Sequence, residues 1–237
     1  MPASVTVAAP SLNRRVAGQG ALLLGGVVAG QLFAFARHAV LAYGLARGAF
    51  GTAMAILLTL QLIEALTDLA PERLILQADD GPTAKLISVG HTVAILRGIA
   101  GAALLYCATD WIAAFFSIPD AAPAFAMMAL VPLIKGLQHL DQRRAQRRLD
   151  NGPAMLVELV PAVLGLALAW PLVRLLGSYD VIVWLFIGQA LAQVAVSHAI
   201  AREPYRVARD PETLRRSLAF GWPMIAAALP QAAESLP

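Results

Sequence analysis

The side chains with chemical capacity lie where hydrocarbon is expected. Arg97 interrupts HTVAILRGIAGAALLYC (91–107), a stretch otherwise built of apolar and small residues. Gln61, Glu64, Asp68 and Glu72 follow one another at i, i+3, i+7 and i+11, spacings that share one helical face. Lys135 falls in a fourth apolar segment and Glu158 at the start of a fifth. Gln189, Gln193 and Ser197 make a stripe at i, i+4 and i+8 in a sixth. Ionisable groups at such depth are costly and turn toward a protein interior or a water-filled cavity. Several helices each giving one polar face is the pattern of a bundle around a hydrated cavity.

Other chemistries find little support. His38, His91, His139 and His198 have no ligand-like spacing to a cysteine or a carboxylate pair, so no metal site is expected. Cys107 is the single cysteine and forms no internal disulfide. No phosphate-cradling glycine loop and no Ser/His/Asp set occurs, so no catalytic residues, no cofactor and no enzymatic activity are expected. Gly25, Gly26 and Gly30 lie within an apolar helix; Gly26 and Gly30 form a G-x-x-x-G step suited to close helix packing.

The elements that must position these residues are membrane spans. Of the 237 residues 59% are hydrophobic and 14% charged, against roughly 25% charged in a soluble domain. A crossing needs about 20 mostly apolar residues. Six segments qualify, near 16–35, 50–69, 86–106, 121–137, 154–176 and 181–201, and a seventh begins near Leu218. The expected fold is all-α, a polytopic transmembrane bundle of six spans plus the start of a seventh. Residues 1–201 form a six-helix lobe, 202–217 a cytoplasmic linker and 218–237 the opening of a second lobe. Arg14 and Arg15 before the first span mimic a signal peptide, but the apolar run is too long for one.

Orientation follows from the cations. With the N-terminus in the cytoplasm, Arg14, Arg15, Arg73, Lys85, Arg143, Arg144, Arg147, Arg148, Arg202, Arg206, Arg209, Arg215 and Arg216 all lie inside. The other side receives Arg37, Arg47 and Arg174. HLDQRRAQRRLDNG (139–152) is expected to continue the fourth helix into the cytoplasm as an anchor near anionic lipid. AREPYRVARDPETLRR (201–216) is expected to carry a short surface helix.

Depth can be counted at about 1.5 Å per residue. Arg97 lies twelve residues past Lys85, so about 18 Å from the inner boundary and near the midplane. Small residues surround it: Gly90, Ala94, Gly98 and Gly101. Two roles stand open, a buried strut to Glu64 and a cation lining a substrate cavity. Glu64 and Asp68 divide between structural pairing and ion coupling, and the glutamines suit interhelical hydrogen bonds. Pro132, Pro161 and Pro171 lie inside spans and should bend them.

The stretch 36–81 resembles the start of bacterial oligosaccharide flippases, the polysaccharide transporter branch of the multidrug/oligosaccharidyl-lipid/polysaccharide exporter superfamily. Leu45-Ala46-Arg47 and Phe50-Gly51 are similar to the family's first outer loop, without its Leu-Gly step. Asp68-Leu69-Ala70 and Arg73-Leu74-Ile75-Leu76-Gln77 resemble its pattern after the second helix, with Ala70 in place of a glycine. Arg97-Gly98 resembles the arginine of its third helix, and Phe220-Gly221-Trp222-Pro223 the opening of its seventh.

The resemblance implies two six-helix lobes around a cavity, of which this chain is the first lobe and a stub. It implies transport of undecaprenyl-pyrophosphate-linked sugars across the bacterial cytoplasmic (inner) membrane, for surface polysaccharide such as O-antigen of lipopolysaccharide. Arg97, Arg37, Arg47 and Lys135 would then hold the pyrophosphate, with Glu64, Asp68 and Glu158 for coupling or pairing and Gln61, Gln189 and Gln193 lining the cavity. The expected partners are the lipid-linked oligosaccharide, membrane lipid and other polysaccharide-assembly membrane proteins, with no nucleic acid. Two alternatives stand beside it. A cation-coupled drug exporter of the same superfamily would want a carboxylate in the outer half of the first helix, and none is there. A membrane enzyme of polysaccharide assembly would want a large outer loop, and the outer loops are short.

Overall fold

A computed structural model describes residues 12–68, 71–77, 83–212 and 215. The regular elements among them are all helical. In chain order they are α1 (Leu12–Gly44), α2 (Arg47–Leu66), α3 (Pro71–Gln77), α4 (Ala84–Phe115), α5 (Ala122–Met128), α6 (Leu130–Lys135), α7 (Asp141–Arg147), α8 (Gly152–Leu176) and α9 (Asp180–Ala199). Five of them, α1, α2, α4, α8 and α9, are long and apolar enough to cross a membrane. Large apolar side chains on their outward faces, among them Leu24, Leu32, Phe35, Trp111 and Phe115, are exposed. Hydrocarbon is the solvent that such a surface fits. The seventh span expected from Leu218 lies outside the described residues.

The fourth crossing differs from the expected single helix over 121–137. It enters through a 3-10 turn at Pro119–Ala121 and runs as α5 and α6, broken at Ala129. Pro132 accounts for the break. It has no N–H for the carbonyl four residues earlier, and its ring crowds that carbonyl. The crossing stays continuous in space. Ile118 bonds to Ala113 near the end of α4, while Leu140 donates to His91 near its start. Beyond it, 139–152 is not an extension of that helix: the chain turns at Gly136–Leu140 and opens a separate α7.

Small residues set the closest approaches. A Cβ at Gly98 would stand 2.6 Å from the Pro132 carbonyl oxygen, and one at Gly136 would stand 2.9 Å from that of Ala94. The α4 and α6 backbones therefore touch. On α1, Gly26 lies against Met155 and Gly30 faces Leu159, so the G-x-x-x-G step is indeed a packing surface for α8. Asn151 donates to the Gln19 side chain and main chain, both at 2.9 Å, and pins the α1–α8 pair at one end.

The two ends of the bundle are built differently. At the end joined by Leu45–Ala46, 116–121 and 177–179, a dry core forms from Leu41, Ile56, Leu60, Leu105, Phe125, Met128, Ile182 and Leu185. Gly177 stops α8 there with φ +62°, a left-handed turn that suits glycine. At the arginine-rich end the apolar cluster shrinks to Ile75, Leu86, Ile87 and Leu140, and polar side chains take over.

Candidate functional site: a charged ladder on one face of the bundle

Three acid–base pairs climb one side of the molecule. Lys135, the last residue of α6, reaches Glu64 of α2, with Nζ 2.8 Å from Oε1 and 3.1 Å from Oε2. Arg97 of α4 donates to Asp68 Oδ1 at 2.9 Å. Arg143 of α7 pairs with Glu72 of α3 and also donates to Gln146 Oε1 at 2.8 Å. The i, i+3, i+7, i+11 series does not run on one helix as expected: Gln61 and Glu64 lie in α2, which ends at Leu66, Asp68 follows that end and Glu72 lies in α3, so the acids, like the cations, come from different parts of the fold.

The strut expected between Arg97 and Glu64 is not the one that forms. Depth counting assumed upright helices starting at one level. Instead α2 ends at Leu66, and its exit meets the middle of α4, so Asp68 arrives level with Arg97. Glu64 is then one step farther from the arginine-rich end, where the end of α6 delivers Lys135. Gly101 makes the approach possible: a Cβ there would press on Pro132, Thr67 and Ile63.

All six side chains keep part of their surface open, from 16% for Arg143 to 36% for Asp68. Ionised groups at helix centres cost about 3 kcal/mol each on insertion scales. This face therefore turns to water or to more protein. Glu158 joins it from α8, with Arg143, Glu72 and Lys135 as its charged neighbours. Glu158, Arg143, Gln146 and Gln31 share a cleft of about 430 Å³ whose other walls are Leu23, Val27, Met155 and Ala162. One end of this cleft is ionic and the other is apolar.

Other expected residues lie elsewhere. Arg37 is not in an outer loop. It is buried inside α1, where it donates to Gln189 Oε1 at 2.8 Å and lies on the Phe186 ring at 4.9 Å. Gln189 in turn donates to the Pro161 carbonyl at 3.0 Å. It can do so because Gly165 leaves the space: a Cβ there would overlap its amide. Arg47 is exposed at the start of α2, about 26 Å along that helix from Glu64. Gln61 is exposed on the ladder side of α2, and Gln193 is half-buried. Ser197 is buried and receives the His139 amide at 3.0 Å.

A second polar cluster was not legible from spacing. His91 of α4, His139 before α7 and His198 of α9 gather around Tyr205. Burial pushes the His139 pKa down, helped by His198 and Arg144 and opposed by the Glu203 carbonyl and Asp141. Burial also pushes the Tyr205 phenol up. Residues 201–210 carry Tyr205 and have no regular structure; within the stretch where a short surface helix was expected, residues 211, 212 and 215 are helical. Among the described residues no group of three His, Cys, Asp or Glu side chains is set to hold a metal ion.

Apolar spans, a charge-paired face and a polar, arginine-rich end define a polytopic helical membrane protein. The chain belongs to the polysaccharide biosynthesis protein family, whose model matches residues 40–233. No curated protein and no solved structure matches it.

Proposed function

We propose that this chain is the lobe of a transporter that moves a lipid-linked oligosaccharide across the bacterial inner membrane. The arginine-rich end is cytoplasmic in this reading. Membership of a polysaccharide biosynthesis family supports the substrate class. The observation that carries the proposal is the ladder, a row of half-open ion pairs on a bundle that otherwise offers apolar surface. A lipid-linked sugar phosphate has the matching duality: an anionic head for the cations and a hydrocarbon tail for apolar walls.

The pairing sets the chemistry. Arg97, Lys135 and Arg143 are each neutralised by a carboxylate, so an anionic head must take a cation away from its acid. The released carboxylate then favours a proton or a metal cation. Anion binding and cation uptake become linked through Glu64, Asp68 and Glu72.

The test replaces a pair with apolar side chains of similar volume, because removing one partner strands a charge. Asp68→Met with Arg97→Met is expected to insert and fold. Binding of a polyprenyl-pyrophosphate oligosaccharide to the purified protein should drop at least about tenfold, one charge-assisted contact's worth. Unchanged binding in a folded double variant would reduce Arg97 to a strut.

A further inference from the structure

Residues 201–210 leave the end of α9 and return across the arginine-rich end as a strap. Arg202 N–H donates to Asp141 Oδ2 at 2.9 Å, and Arg144 pairs with Glu203 at 3.0 Å. Farther on, Thr92 donates to the Ala208 carbonyl at 2.7 Å, Ala208 N–H reaches the Ser88 carbonyl, and Lys85 pairs with Asp210 at 3.0 Å. Between these points the Tyr205 ring stacks on His91 with centroids 4.2 Å apart. His198 and His139 close around it at 5.1 and 5.5 Å. The Tyr205 hydroxyl is buried and has no hydrogen-bond partner among the described residues, so the ring, not the phenol, holds the strap.

The histidines fasten this seat in one protonation state only. His139 Nδ1 faces the Asp141 N–H at 3.1 Å and must accept, which leaves Nε2 to donate to the Glu203 carbonyl at 3.0 Å. His91 Nε2 faces the Leu140 N–H at 3.1 Å and must accept, which leaves Nδ1 to donate to the Arg206 carbonyl at 2.8 Å. Each imidazole therefore bridges a main-chain donor of the bundle to a main-chain acceptor of the strap. A protonated imidazole is a donor at both nitrogens. It would set N–H against N–H and turn out of the bridge, taking the strap carbonyl with it. The rings also face one another, His91 to His139 at 4.9 Å and His139 to His198 at 5.3 Å. A second charge there meets the first. The other charged groups around His139 are Asp141, which favours its protonation, and Arg144, which opposes it.

We infer that residues 201–210 form a proton-released latch: neutral His91 and His139 hold the strap on the bundle, and their protonation frees it. The strap connects α9 to everything that follows, so its docking decides whether the chain after Asp210 moves with the bundle or apart from it. The direction follows from linkage. His139 has a lower pKa docked than free, so docking is full above the free value of about 6.5 and weakens as pH falls below it.

Hydrogen exchange on the full chain in lipid nanodiscs tests this, with rates corrected for intrinsic pH dependence. The Arg202 and Ala208 amides should be protected at pH 7.5 and lose at least about tenfold of that protection by pH 5.5. Tyr205→Phe should keep the pattern, because the hydroxyl has no partner, and Tyr205→Ala should lose protection at both pH values. His139→Gln should reduce the pH dependence and His139→Gln with His91→Gln should remove most of it, with α8 amides as the control for folding. A spin label at Arg209→Cys, in a Cys107→Ala background, needs no histidine variant and should be immobile at pH 7.5 and mobile at pH 5.5. Strap protection and label mobility that do not change between those pH values would overturn the latch. An equal loss in His139→Gln/His91→Gln would also overturn it and assign the response to Asp141, Glu203 and Asp210.

Discussion

At the residue scale, one glycine controls a buried arginine. Arg37 rests on the Phe186 ring and donates to the Gln189 side-chain oxygen. Gln189 can serve it only while its own amide nitrogen is seated on the Pro161 carbonyl, in the space beside Gly165. A methyl at Gly165 would stand 2.0 Å from that nitrogen, well inside contact distance. Gly165→Ala should therefore push Gln189 aside, strand Arg37 and destabilise the protein by about 1–3 kcal/mol. Thermal unfolding in nanodiscs measures this. Gln189→Ala should cost a similar amount, and the double variant little more than either alone, since both remove the same contacts. Additive losses would mean that Gly165 acts on packing unrelated to Arg37.

At the element scale, the α4–α6 crossing carries the ladder. Lys135 ends α6 and Gly136 touches α4, so the position of the ammonium depends on how closely the two backbones meet. The obstacle at Gly98 is the Pro132 carbonyl, main chain that cannot swing away. Gly98→Ala should force the helices apart, lower stability by about 1–3 kcal/mol and weaken the Lys135–Glu64 pair. Gly25→Ala is the control: nothing stands within 4 Å of a Cβ there, so the change should be neutral or gain up to about 1 kcal/mol from helix propensity. Equal effects of the two substitutions, again by thermal unfolding, would deny the crossing its role. The same elements indicate what a sequence can give. The five long spans were legible because hydrocarbon demands about 20 apolar residues in a row. The break at Ala129 was signalled by Pro132, yet apolar content alone does not tell a bend from a break. The acids Glu64, Asp68 and Glu72 were legible as candidates, but not as one helical face, because α2 ends at Leu66 and Glu72 starts from a separate helix. Their partners were not legible, because pairing depends on the relative height of helices, and that is fixed by contacts such as Gly101 against Thr67 and Gly98 against Pro132. The histidine nest was beyond reach for the same reason: His91, His139 and His198 come from three elements far apart in sequence.

At the scale of the whole molecule, the faces of the bundle should meet different solvents. On α1, Leu24, Val28, Leu32 and Phe35 are exposed at i, i+4, i+8 and i+11, a continuous apolar stripe. On α2, Gln61 is exposed three residues before Glu64, at the head of the ladder. If the ladder borders a hydrated cavity, a thiol at residue 61 can ionise and react with a charged, membrane-impermeant thiosulfonate. A thiol on the α1 stripe stays in hydrocarbon, where the thiolate does not form. In a Cys107→Ala background, Gln61→Cys should label in intact membranes at least about tenfold faster than Leu32→Cys, in keeping with the cost of a charge in lipid. Added lipid-linked pyrophosphate oligosaccharide should slow labelling at residue 61 and leave residue 32 unchanged, because the head group would occupy the space beside Glu64 and Lys135. Fast labelling at 61 without protection would mean that the hydrated face exists but does not seat this substrate. Slow labelling at both positions would mean that the ladder is covered by protein, and its ion pairs would then be struts between packed surfaces.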